Sequence, residues 1–279
     1  MLYLLLTSFC AAAIMIAMRL SNGHIKGRFG MLAVNYFICA VFSWINMGFG
    51  SFVPTGDRAA VAVTLGLING FVYITALSLS QYNIPINGVV LSTVTSRLGG
   101  LIVPLAVAIL LLGELPRPVQ VVGAVIALVS VVVLNYDKER MSAGSVLPLV
   151  ALFVADGSAV AMSKVFNNLG NPAHSANFLL GTFGVACLLC ILVALVRREK
   201  FGSQELLYGT IVGVPNFFAA RFLLRALETI PAIIVYPTRC VGGIAIVALF
   251  GVLYFGERLR RHQWYAMAAI TVAIVLLNL

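Results

Sequence analysis

Charge is scarce in this sequence, and acid is scarcest: charged residues make up 10% of the 279, with nine Asp and Glu against eighteen Lys and Arg. Long polar stretches are missing too. The longest breaks between apolar runs, at 20–29, 50–58, 136–144, 165–172 and 197–204, are too short to fold by themselves, so function must lie within the apolar bundle or at its rims. There is no His-Glu-x-x-His, no Gly-x-Ser-x-Gly and no phosphate-binding glycine loop, which removes the usual signatures of metalloproteases, serine hydrolases and ATP-driven pumps. His24 falls in a break and His174 and His262 at the starts of two separate runs, none near another in sequence, so no metal site and no cofactor are expected. The five cysteines, Cys10, Cys39, Cys187, Cys190 and Cys240, all sit in apolar runs, where they act as small hydrophobic residues. Cys187-x-x-Cys190 has a redox spacing but no neighbouring His or charge to activate a thiolate.

What remains is apolar: 61% of the residues are hydrophobic and the mean hydropathy is +1.05, a balance that no water-soluble chain of this length carries. Ten runs recur at 2–19, 30–49, 59–80, 85–112, 118–135, 145–164, 173–196, 205–226, 231–255 and 260–278. Each suits a helix crossing a hydrocarbon core of ~30 Å. The first starts at residue 2 without a basic segment or a cleavage site, and is expected to be a retained helix. Net charge +9 would suit nucleic acid, but eleven basic residues gather on one side (Arg19, Lys26, Arg28, Lys138, Arg140, Arg197, Arg198, Lys200, Arg258, Arg260, Arg261) and four on the other (Arg58, Arg117, Lys164, Arg225). That asymmetry reports orientation in a cytoplasmic, inner-type membrane. No nucleic-acid partner is expected, and both termini should be extracytoplasmic.

A shift of 143 residues lays 66–135 on 209–278 without a gap, with sixteen identities. Gly66-x-x-x-Gly70 meets Gly209-x-x-x-Gly213, Gly99-Gly100 meets Gly242-Gly243, and Gly113-Glu114 meets Gly256-Glu257; Arg117, Gln120 and Asn135 meet Arg260, Gln263 and Asn278. The glycines are expected to be places of close helix approach and to bind nothing. A unit of five helices is odd, so tandem copies enter the membrane from opposite sides, and the expected organisation is an all-α membrane protein of two inverted five-helix repeats, 1–140 and 141–279.

The doubled pattern, "LLLGELPRPVQVVGAVIALVSVVVLN" and "VLYFGERLRRHQWYAMAAITVAIVLLN", resembles the EamA-type repeat of the drug/metabolite transporter superfamily across essentially the whole chain. The resemblance implies a ten-helix carrier with a cavity lined mainly by helices 1, 3, 4, 6, 8 and 9 and with helices 5 and 10 peripheral. It names no substrate, since the family carries amino acids, sugars, nucleotide derivatives, choline and drugs. Some relatives place both termini in the cytoplasm, the reverse of the orientation expected here.

Within the runs three cations, Arg97, Arg221 and Arg239, face a single acid away from the helix ends, Asp156. An arginine at mid-span costs at least ~2.5–3.5 kcal/mol on insertion scales and is tolerated only facing protein or water. Arg97 shares a face with Thr93, Gly100 and Pro104; Arg239 shares one with Tyr236 and Gly243. One carboxylate cannot neutralise three guanidiniums, and a guanidinium fork suits carboxylate or phosphate, so Arg97 and Arg239 are expected to hold a substrate anion jointly. Arg221, Tyr73, Tyr236, Asn69 and Thr93 complete the candidate substrate site. Asp156 and Lys164 are candidates for proton coupling or for an internal ion pair, and for Lys164, as for Arg19, reaching out to the interface is the favoured expectation. Pro85, Pro104, Pro231 and Pro237 are expected as flexible points of helices 4 and 9. The expected function is secondary transport of a small anionic or zwitterionic metabolite by alternating access, with the lipid bilayer and protons as further partners. Export of amino acids or drugs is the nearest alternative, an intramembrane enzyme acting on lipid phosphate the remotest, and no enzymatic activity is expected.

Overall fold

The structure is a computed structural model, and it describes all residues except 22, 53, 135–144, 200 and 256–260, together with the side chains of 89, 90, 134, 255 and 261–263. The expectations placed on Asn135, Lys138, Arg140, Lys200, Gly256, Glu257, Arg258 and Arg260 lie outside the described residues. The described chain is helical and without strands: α1 (Leu2–Ser21), α2 (Arg28–Asn46), α3 (Ala59–Asn87), α4 (Val89–Ala106), α5 (Pro118–Leu134), α6 (Val146–Leu169), α7 (Ser175–Val196), α8 (Ser203–Leu227), α9 (Ala232–Phe255) and α10 (Arg261–Leu277). A π-helical turn, Val107–Leu111, prolongs α4 beyond Pro104, and a short 3-10 turn, Pro172–His174, leads into α7. Eight helices, all but α5 and α10, are long and apolar enough to cross a membrane. In hydrocarbon a backbone must satisfy its own hydrogen bonds, and the helix does so within one segment. The chain is a multi-pass helical membrane protein.

The run read as a helix from residue 85 divides differently. Helix α3 continues to Asn87, and the break falls at Gly88, whose φ of 77° and ψ of 158° only glycine adopts readily. Pro85 therefore lies in the last turns of α3, and Pro231 precedes α9, leaving Pro104 and Pro237 as the prolines inside α4 and α9. The short connection is stitched to α6: Asn83 Nδ2 donates to the Pro148 carbonyl at 2.8 Å, and the Ser145 amide donates to Asn87 Oδ1 at 2.9 Å.

The most extensive packing joins α2 to α7, α4 to α6, α3 to α7, α1 to α8, α5 to α10, α2 to α8, α3 to α6 and α1 to α9. The glycine pairs mark two of these seams. A Cβ on Gly66 would lie 2.6 Å from the Phe178 carbonyl oxygen of α7, and one on Gly209 would lie 2.7 Å from the Met31 carbonyl oxygen of α2. Gly70 and Gly213 face α7 and α2 as closely, so each Gly-x-x-x-Gly is an interface between backbones, as expected. Gly99 abuts the Phe153 carbonyl of α6. That approach lets the side chains of α4 and α6 meet.

Candidate substrate cavity

A cavity of about 460 Å³ enters the bundle among α1, α2, α3, α4 and α9. Its rim is Arg19, Ser21, Ile25, Arg28 and Gln81, at the end where α1 turns into α2; its inner end is Ile14, Met15, Thr93, Arg97 and Val247. From Ser21 to Met15 is six residues of α1, a depth of ~9 Å at 1.5 Å per residue. Among the described residues no carboxylate lines it. Arg97 is half-buried, and Nη2 donates to Met15 Sδ at 3.2 Å, a weak acceptor that leaves the positive charge uncompensated. Thr93, one turn away on the same face, offers a hydroxyl beside it. At the mouth Arg28 Nη1 donates to Gln81 Oε1 at 3.0 Å, joining α2 to α3. The walls are otherwise aliphatic and methionine-rich, with Met15, Met18 and Met31, side chains that adapt to irregular apolar shapes.

A second polar group lies deeper. Ser96, next to Arg97 but on the face turned to α6, donates its hydroxyl to Asp156 Oδ2. Arg239 Nε donates to Thr7 Oγ1 at 3.3 Å, and Thr7 in turn donates to the Ala219 carbonyl at 2.9 Å. Arg239 also lies within Coulombic reach of Asp156, Tyr73, Tyr236 and Cys10. Among the described residues no ion pair joins Asp156 to an arginine. Asp156 thus lies within electrostatic range of Arg239, and among the described residues the two close no salt bridge. Tyr73 packs edge-on against Tyr36 and Phe183, each at 6.4 Å, on the flank of this cluster.

At the opposite end of the bundle a second hollow of about 460 Å³ opens beside Glu114, Arg117, Gln120 and Asn278, and behind it an ion pair joins the helices. Lys164 Nζ pairs with Glu114 Oε1, with side-chain exposures of 9% and 23%, and the second oxygen of Glu114 accepts the Ala232 amide at 2.9 Å. Ala232 opens α9, so the carboxylate also meets the positive end of a helix. Tyr236, 2% exposed one turn into α9, donates its hydroxyl to the Val160 carbonyl of α6 at 3.5 Å. One carboxylate therefore ties the loop after α4 to α6 and to α9.

The fold has been seen before. A crystal structure, described only as that of a protein, matches with a TM-score of 0.73 over 99% of this chain and 94% of its own, at 17% identity. That likeness is one of fold. A Haemophilus influenzae protein, itself uncharacterized, is 22% identical over 246 residues, 84% of this chain and 82% of its own length. No family model matches the sequence.

The residues expected at the site separate into groups. Arg97 and Thr93 line the open cavity, while Arg239, Tyr236, Tyr73 and Asp156 gather more deeply. The α1 partners of the two arginines, Met15 and Thr7, are eight residues apart, or ~12 Å along the helix axis, so Arg97 and Arg239 sit at different levels. Asn69 is 2% exposed and donates to Thr182 Oγ1 at 3.3 Å, within the α3–α7 seam. Arg221 is half-buried on α8 and has no hydrogen bond or ion pair among the described residues. Lys164 does not reach out to the interface, the favoured of its two readings: its chain turns inward to pair with Glu114, in the loop between α4 and α5. Sequence reasoning missed Ser96, Met15, Thr7 and the inward role of Glu114. Ser96 carried one signal, its place beside Arg97 on a helix already marked as polar.

Proposed function

We propose that this chain is a secondary carrier of the drug/metabolite transporter kind, moving a small anionic or zwitterionic metabolite across the cytoplasmic membrane by alternating access. The observation that carries the reading is a cavity entering the bundle from one end, with Arg97 at its inner limit and no carboxylate among its described lining residues, while a Lys164–Glu114 pair ties α6 and α9 together toward the other end. A passage that stops within the bundle at a charged residue is what a carrier needs in the loading half of its cycle.

Ten membrane-crossing helices in two inverted halves are part of the proposal, with α5 and α10 tilting less or spanning a thinned bilayer. The packing supports it. Exchanging each helix with the one five places on turns α1–α8 into α3–α6, α2–α8 into α3–α7 and α1–α9 into α4–α6, while α2–α7 and α5–α10 map onto themselves. The Gly66 and Gly209 contacts exchange under the same rule. The open end carries Arg19, Lys26, Arg28 and Arg197, which is the cytoplasmic side by charge, so both termini are extracytoplasmic and the cavity faces substrate leaving the cell. Export is the direction this favours. Asp156, which accepts the Ser96 hydroxyl and forms no ion pair among the described residues, is the group we propose to couple a proton.

Counterflow into proteoliposomes tests it. Vesicles preloaded with the correct organic anion or zwitterion should take up labelled solute by exchange, and Arg97→Leu should abolish it; exchange that persists undiminished in Arg97→Leu would reject Arg97 as the anion site.

A further inference from the structure

Beside the mouth of the cavity lie two further hollows that share one residue, Arg197. The first, about 310 Å³, is at the rim and is lined by Lys26, Arg28, Gln81, Phe29, Arg197 and Glu199. The second, about 470 Å³, runs along the outer face of α3 past Ile74, Ser78, Leu79 and Tyr82 and ends at Arg197. Since α3 ends near the rim at Asn87, the groove leads from Ile74, deep in the span, to Tyr82 at the interface, ~12 Å along the helix axis. Tyrosine at that level is the usual anchor between hydrocarbon and head groups.

The rim hollow is cationic, and its charge is free. It holds three cations and one carboxylate, and that carboxylate is committed: Glu199 Oε2 accepts the amides of Phe29 at 2.8 Å and Gly30 at 3.1 Å, capping α2. Among the described residues neither Arg197 nor Lys26 forms an ion pair. The guanidinium of Arg197 lies over the ring of Phe29, 4.8 Å from its centroid, and Phe29 is 2% exposed, so a fixed surface sets where this cation stands. It stands where the polar hollow meets the apolar groove.

An anionic head joined to a hydrocarbon chain fits both hollows at once. We propose that Arg197, with Lys26 and Arg28, binds the phosphate of an anionic phospholipid from the adjoining leaflet, with one acyl chain lying along α3 from Tyr82 to Ile74. Basic pockets of this kind hold phosphate through charge-assisted hydrogen bonds, and the chain in the groove sets a bound lipid apart from free phosphate. The site shares Arg28 with the rim of the cavity, but Arg197 and Lys26 do not line that cavity. A chain that carried no solute would still bind lipid here, and a carrier without Arg197 would still transport.

Native mass spectrometry of the full chain, released from detergent, tests it with phosphatidylglycerol, phosphatidylcholine of the same chains, and glycerol 3-phosphate as a head without a tail. Phosphatidylglycerol should be retained in preference to phosphatidylcholine, and each of Arg197→Ala and Arg28→Ala should weaken its retention by about fivefold. Arg225→Ala, at the far rim, should leave it unchanged. Arg197→Lys, which keeps the charge, should retain most of the preference and shows that the loss in Arg197→Ala is not misfolding. Millimolar glycerol 3-phosphate should fail to displace the lipid. Equal retention of both lipids by the native chain, undiminished preference in Arg197→Ala, or displacement by glycerol 3-phosphate would overturn the proposal.

Discussion

Replacing Glu114 by Gln strands the Lys164 ammonium in a place where its side chain is only 9% exposed. An uncompensated buried charge of this kind costs ~3–5 kcal/mol, whereas removing both charges together is close to neutral. The amide of Gln still offers an oxygen to the Ala232 amide, so the cap on α9 is weakened and not lost. Glu114→Gln and Lys164→Met should therefore each be strongly destabilising, and the double variant should recover most of the loss, with a coupling energy of about 2–3 kcal/mol. At ~2–4 °C per kcal/mol for chains above 150 residues, each single variant should melt on the order of 10 °C lower. Thermal unfolding of the four proteins in one detergent, without ligand, measures this. Two single losses that simply add in the double variant would refute a coupled ion pair tying α6 to α9 through Glu114.

Gly66→Val and Gly209→Val should each cost about 1–3 kcal/mol by forcing a branched side chain against the Phe178 or Met31 carbonyl, whereas Gly100→Ala, whose nearest contact is Val160 at 3.6 Å, should be tolerated; unfolding in detergent distinguishes them. Arg97→Leu should leave the ligand-free protein no less stable, since no carboxylate depends on it, but Arg239→Leu should cost about 1–3 kcal/mol through the orphaned Thr7 bond and the loss of the cation within electrostatic range of Asp156; the two melting temperatures give the order. Asp156→Asn should abolish accumulation driven by a proton gradient and preserve solute exchange, and equal loss of both would mark Asp156 as structural.

The helices were legible because the bilayer imposes one length on every span, and the glycine seams were legible because only glycine lets two backbones touch. Arg97 could be read as a cavity residue from its cost in lipid and the shortage of acids. Its separation from Arg239 could not: helix spacing fixes the face on which a side chain stands, but the relative depth of α4 and α9 against α1 is set by packing. The choice between the two readings of Lys164, interface or ion pair, went the wrong way for a related reason. A lysine near a helix end reaches outward by default, and what reverses it is Glu114, brought near only when α4, α6 and α9 assemble. The end of α3 was missed because the apolar run passes through Gly88 unbroken, while the backbone there turns on a φ that composition does not reveal.

The most direct test of Arg97 as the anion site is a thermal-shift comparison of the native chain with Arg97→Leu across a panel of organic anions, zwitterions and cations. A ligand that binds only the folded state raises the melting temperature by mass action, by ~2.7 kcal/mol of stabilisation at a hundred times its dissociation constant. Anionic or zwitterionic compounds should stabilise the native chain and lose that effect in Arg97→Leu. Stabilisation by cations alone, or equal stabilisation of both proteins by the same anion, would contradict it.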